Sequence, residues 1–150
     1  MTKEELKSIL KQFEYDTCSK RMTITQFHDT YIICRFEKIV YERNPRDPAD
    51  IEEDVEVIKE KVDLMDIARS IDEMPSWYWH TIAEDIRLWS CVKYSERQLR
   101  KVQGEIKEVN AEIDKGNLEE DEIHQLCNAL NQLLGLESNL KWEIDRLLNK

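Results

Sequence analysis

Four carboxylates near the middle of the chain have a spacing that could do chemistry. Glu53-x-x-Glu56 and Glu60-x-x-Asp63 each set two acids three residues apart, which on a helix puts them on one face. Paired carboxylates of this kind can hold a hard divalent cation such as magnesium, whose ligands are oxygens. His80 and Glu84, with Asp85 beside them, share a face in the same way and offer a metal or proton site. His28 with Asp29 and His124 with Asp121 are weaker versions. For the His80 group the expectation is an ordinary helical ion pair. No Ser-His-Asp or Cys-His pattern is readable, and no glycine-rich loop is there to cradle phosphate.

The two acid pairs are similar to the paired carboxylates of the all-α nucleotide pyrophosphatases. That resemblance implies a small metal-dependent nucleotide hydrolase. The family places its acids on facing helices, whereas here both pairs fall on one expected helix. The expected function is therefore non-enzymatic, with no catalytic residue, no cofactor and no metal ligand assigned.

Three groups of residues suit binding instead. Trp77, Tyr78, Trp79 and His80 are four consecutive rings. Successive helical positions differ by about 100°, so the rings cannot all face one core, and exposed Trp and Tyr anchor interfaces. Arg97, Arg100 and Lys101 make a basic face, and Glu52, Glu53, Glu56 and Glu60 an acidic one. Between 47 and 73, eleven acids meet three bases, a surplus of eight negative charges. Such a surface can imitate a phosphate backbone and occupy the basic groove of a nucleic-acid-binding protein, as small acidic inhibitors from phages and other mobile elements do. The leading expectation is a protein–protein interaction module, in its sharper form an acidic inhibitor of this kind. The alternative is a self-associating structural or adaptor subunit, a homo-oligomer.

The whole composition agrees with a binding protein of acidic character. The net charge is −10, which argues against direct nucleic-acid binding, since that needs a basic face. No run of eighteen apolar residues predicts a membrane span. The N-terminus lacks an apolar signal core, so the cytoplasm is the expected location. Cys18, Cys34, Cys91 and Cys127 form no CxxC pair. Cys34, Cys91 and Cys127 lie in apolar stretches, which predicts buried free thiols in a reducing compartment.

The elements that would position these residues read as helices. Charged residues make up 36% of the chain, and only three glycines and three prolines punctuate it, so an all-α helical bundle is expected. Thr2 and Glu5 have capping-box spacing and open a helix from about Lys3 to Glu14. Asp16 to Arg21 connects it to the next. Thr23 and Gln26 repeat the capping pattern before a second helix, apolar nearly all round. A strand over Tyr31–Tyr41 is the alternative there, because the segment is rich in β-branched and aromatic residues. Asn44-Pro45-Arg46-Asp47-Pro48 is the strongest linker, with Asp47 as cap. Ile51, Val55, Ile58, Val62 and Met65 then stripe a third helix continued by Ala68 and Ile71.

After Pro75, a fourth helix is expected from Trp77 to about Lys115. Gly116 stops it, and a fifth runs from Asn117 to about Leu148. The short connection predicts a long antiparallel, coiled-coil-like hairpin. Its seam would pair Val109 with Ile123, Ile106 with Leu126, Val102 with Leu130, Leu99 with Leu133, Val92 with Leu140 and Leu88 with Ile144. Ser95 and Glu137 form its polar layer, and Trp89 falls near Trp142. The organisation expected is one all-α domain over residues 1–150, with N-terminal helices at 1–75 and the hairpin at 76–150.

Overall fold

The structure is a computed structural model that describes residues 1–149, with side chains for all of them except 42–44, 48, 50 and 52. The described residues form a mixed α/β protein, not the expected all-α bundle. Helix α1 (Lys3–Lys11) leads into four strands, β1 (Tyr15–Asp16), β2 (Lys20–Phe27), β3 (Tyr31–Asn44) and β4 (Asp47–Asp63). Helices α2 (Leu64–Asp72), α3 (Trp77–Asp114) and α4 (Glu120–Leu148) follow. The strands make an antiparallel meander in chain order, with β1 and β4 at its edges.

Two expected helices are thus strands, and the pattern of each explains the misreading. β3 is an inner strand. Ile32 and Cys34 are buried on one face, while Ile33 and Ile39 are half-buried on the other. A strand apolar on both faces looks like a helix apolar all round. In β4 the spacing Ile51, Val55, Ile58, Val62 fits a helical stripe, but side chains alternate along a strand. The odd step from Val55 to Ile58 therefore moves the row from one face of the sheet to the other. Only the tail of that expected helix is helical: Leu64, Ala68 and Ile71 are the buried positions of α2. Thr23 and Gln26 cap nothing. They lie in β2, where a bulge between Ile24 and Gln26 returns Phe27 to the side of Ile32.

The chain divides into a compact unit of Met1–Ser90 and a second that begins at Cys91, inside α3. The first has a continuous core. Leu6 and Leu10 of α1 and Leu64, Ala68 and Ile71 of α2 cluster with Met22, Ile24, Ile32 and Cys34 of the sheet and with Ile82, Ala83 and Ile86 of α3. Each large apolar side chain so buried contributes about 1.5–3 kcal/mol. The Thr2–Glu5 capping box is present, with both reciprocal bonds made at 3.2 Å. Where β1 ends, the Glu14 carboxylate accepts the amide of Ile24 at 2.9 Å and satisfies a donor that has no strand partner on that side.

The second unit consists of the remainder of α3 and α4. Gly116 and Asn117 have positive φ, 71° and 63°, so the chain leaves α3 through left-handed residues as a helix stop requires. In α3, Val92, Ser95 and Val102 are buried, with Leu99, Ile106 and Val109 half-buried. In α4, Leu126, Leu130, Leu133, Glu137, Leu140 and Ile144 are half-buried, while Ile123 is exposed. Both stripes follow the alternating three-four spacing of a seam. No residue of α4 is fully buried. Cys91 and Cys127 are exposed, not buried. Cys34 is the buried thiol, and all four cysteines are free. No helix among the described residues is long and apolar enough to cross a membrane.

Candidate functional site

The β3–β4 hairpin is longer than the rest of the sheet. β2 pairs with β3 as far as Lys20 opposite Lys38, and the Ile39 amide donates to Ser19 O at 2.9 Å. Beyond that point β3 and β4 pair only with each other, up to a turn at Pro45–Arg46. The expected helix linker is thus a hairpin turn. Asp47 does not cap a helix; its carboxylate accepts the amide of Ala49 at 3.1 Å.

The register fixes which side chains share a face. Ile39 lies opposite Val55, Tyr41 opposite Glu53 and Glu37 opposite Val57. These residues, with Ile51, point to the side of the sheet away from the core. Tyr41, Ile51, Val55 and Val57 are 46–62% exposed there, forming an apolar row that starts beside the three-stranded sheet at Val57 and continues along a two-stranded arm. On the other side, Lys38 faces Glu56, Val40 faces Asp54, Phe36 faces Ile58 and Cys34 faces Glu60. That side of β4 is mostly acidic. Burial pushes the Cys34 thiol up from its ordinary value, and the Glu60 and Glu14 carboxylates add to the effect, so the buried thiol stays protonated.

This geometry separates the acids that the sequence grouped. Glu53 and Asp63 lie on the outer face, Glu56 and Glu60 on the core side. Residues ten apart on a strand are about 33 Å apart. The four carboxylates cannot share one cation, and the resemblance to the pyrophosphatases fails on the strand geometry. Among the described residues no group of three or more His, Cys, Asp or Glu side chains converges. Glu53, Glu56 and Glu60 are all exposed, on a strand and not on the expected helix. The Glu52 side chain lies outside the described residues.

The aromatic tetrad at the start of α3 splits as helical geometry requires. Trp77 is 80% exposed and Tyr78 is exposed beside it. Trp79 turns in, its ring centroid 5.8 Å from that of Phe13. His80 Nδ1 lies 3.1 Å from Asp72 Oδ1, so its partner is on α2 and not Glu84. The other Asp72 oxygen accepts from Arg87. These bonds from Arg87 and His80 hold the Asp72 carboxyl below its ordinary value near 3.8. Asp72, which the sequence reading missed, joins α2 to α3. His28 stacks on Tyr31 at 4.3 Å and bonds to Gln26. Arg97, Arg100 and Lys101 are exposed on one face of α3 in the second unit, beside the Lys93–Glu96 pair at 3.4 Å.

Trp89 belongs to the first unit, where its indole donates to Asp29 O at 3.1 Å. Trp142, in the second, is 67% exposed with the Arg146 guanidinium 5.7 Å from its ring.

A cavity of about 260 Å³ also opens in the first unit, lined by Phe13, Met22, Ile24, Phe36, Ile67 and Met74. Its wall is almost wholly apolar, with Asp66 and Ser70 of α2 its main polar side chains. It holds no nucleophile–base pair. The arm is the more distinctive feature, because it exposes apolar and acidic side chains together on one strand. No protein family matches the chain, and neither a curated protein nor a solved structure is significantly similar to it.

Proposed function

We propose that the protein acts by binding another protein, without catalysis, and that the partner contacts the β3–β4 arm. One observation carries this reading: the arm and the stretch of β4 that leads into it display an apolar row (Tyr41, Ile51, Val55, Val57) on one side and carboxylates (Asp54, Glu56, Glu60) on the other, both exposed. Apolar anchors supply affinity at interfaces, and surrounding charge sets partner choice and association rate. The complementary surface is basic. Grooves that hold nucleic acid are built that way, so the favoured partner is a nucleic-acid-handling protein whose groove the arm occupies.

The test is capture from the native host with the wild-type chain and with a Glu53→Lys/Glu56→Lys/Glu60→Lys variant. The reading expects a partner retained by the wild type, released by salt, displaced by DNA or RNA and lost with the variant. A partner retained equally by both chains would refute it. Leu134, Leu136, Trp142 and Leu148, exposed on α4, favour a second reading, association of copies through the helical unit. Sedimentation separates the two, since self-association gives a concentration-dependent mass that persists when the arm is reversed in charge.

A further inference from the structure

β4 is an edge strand of seventeen residues, against a usual length of about five or six. An edge presents a row of backbone donors and acceptors that another strand can pair with, and short or heavily charged edges are the common defence. This edge is long, and its charge is one-sided: eight acids against Lys59 and Lys61. Where the amides of Ala49 and Val55 are answered, it is by the strand's own Asp47 and Asp54, the latter at 2.8 Å.

The charges select what can pair. A second copy laid antiparallel and centred on Val55 would set Asp54 opposite Glu56. Centred on Val57 it would set Asp54 opposite Glu60, with Glu53 opposite Lys61 on the other face, and centred on Ile58, Glu56 opposite Glu60. Like charges directly opposite destabilise a strand pair, so in these three registers the core-side row of the edge repels that of a second copy. A basic strand meets no such barrier.

We propose that the β4 edge takes an extended basic segment of the partner protein as a fifth strand of the sheet. The inference rests on the arm being the partner surface and specifies how it binds. The segment alternates. Lys or Arg sits opposite Asp54, Glu56 and Glu60 on the core side, and apolar residues sit opposite Val55 and Val57 on the outer side. Main-chain hydrogen bonds give the affinity in this mode, and alternate side chains give the specificity.

The experiment titrates the full chain, ¹⁵N-labelled, with a short synthetic peptide alternating lysine and valine. It repeats the titration with two versions N-methylated at alternate residues, one in each frame. The expected result is binding that weakens with salt and shifts amides within Asp54–Lys61. One of the two N-methylated frames should bind at least about tenfold more weakly, because it blocks the main-chain bonds and leaves the charge unchanged. Glu56→Lys/Glu60→Lys, exposed positions that leave the core intact, should cost a similar factor. Equal binding by parent and both N-methylated peptides, shifts confined to residues outside β4, or no binding at low salt would each overturn strand addition. If both frames bind equally while the charge reversals still abolish capture of the host partner, strand addition falls and the arm remains the contact surface. If the reversals leave capture unchanged, the arm itself is the wrong surface.

Discussion

The two ends of the β3–β4 hairpin share one ladder but live in different environments. At the base, Ile32 and Cys34 are buried against α1 and α2, and β4 passes straight into Leu64, which is wholly inaccessible. At the tip, Tyr41 and Ile51 stand more than half exposed, on strands that among the described residues pair only with each other. The base is held by burial. The arm is held by cross-strand pairs worth only about 0.2–1 kcal/mol each. Under the proposed function, the exposed apolar side chains of the arm are the ones a partner covers.

Substitutions at the two ends should therefore differ widely. Leu64→Ala should destabilise the protein by about 2–5 kcal/mol, measured by urea unfolding, because it leaves a cavity in a closed core. A loss below about 1 kcal/mol would mean the base is as loosely packed as the arm. Labelling of the cysteines gives the next contrast. Cys18, Cys91 and Cys127 should react with a maleimide at once, while Cys34, buried and held protonated beside Glu60 and Glu14, should react only on unfolding. Fast labelling of Cys34 would show that the base opens.

The Asp72 contacts sharpen the comparison through pH. The folded-state value of Asp72 is lowered from near 3.8. Its contribution is therefore complete above that value and is lost as pH falls through the still lower folded value. Asp72→Asn should weaken the protein at neutral pH and flatten the fall in urea midpoint on acidification. An unchanged acid profile would show that the bonds to Arg87 and His80 do not stabilise the fold. The smallest effect belongs to the arm: Val55→Ala should change stability by no more than about 0.5 kcal/mol while weakening partner capture.

What the sequence made legible follows the same division between local and distant forces. The capping box at Thr2 and the stop at Gly116 are local signals, set by neighbours three or four residues away, and the structure has both; the stripes of α3 and α4 are buried or half-buried except at Ile123. The tail Leu64–Ile71 kept its helical period for the same reason. The strand at Tyr31–Tyr41 was legible only as the alternative, from its β-branched and aromatic residues, and β4 was not legible, because the signal of both is non-local. β3 owes its all-round apolar character to lying inside a sheet, and β4 owes its strand form to pairing with β3 over most of its length. Two residues, Pro45 and Arg46, are the entire turn between them, and so short a signal reads equally well as a helix linker. The candidate site followed. The sequence groups Glu53, Glu56 and Glu60 on one face of an expected helix, and on the strand they divide between two faces.

Residue-by-residue hydrogen exchange along Asp47–Asp63 tests the central claim, that the acidic stretch is a sheet edge with one side open. Amides that point toward β3 should exchange slowly and those that point outward should exchange fast, giving protection that alternates along the strand, with the outward set slowing when a strand-forming partner binds. Uniform protection with the periodicity of a helix, or no protection anywhere in the segment, would contradict the account.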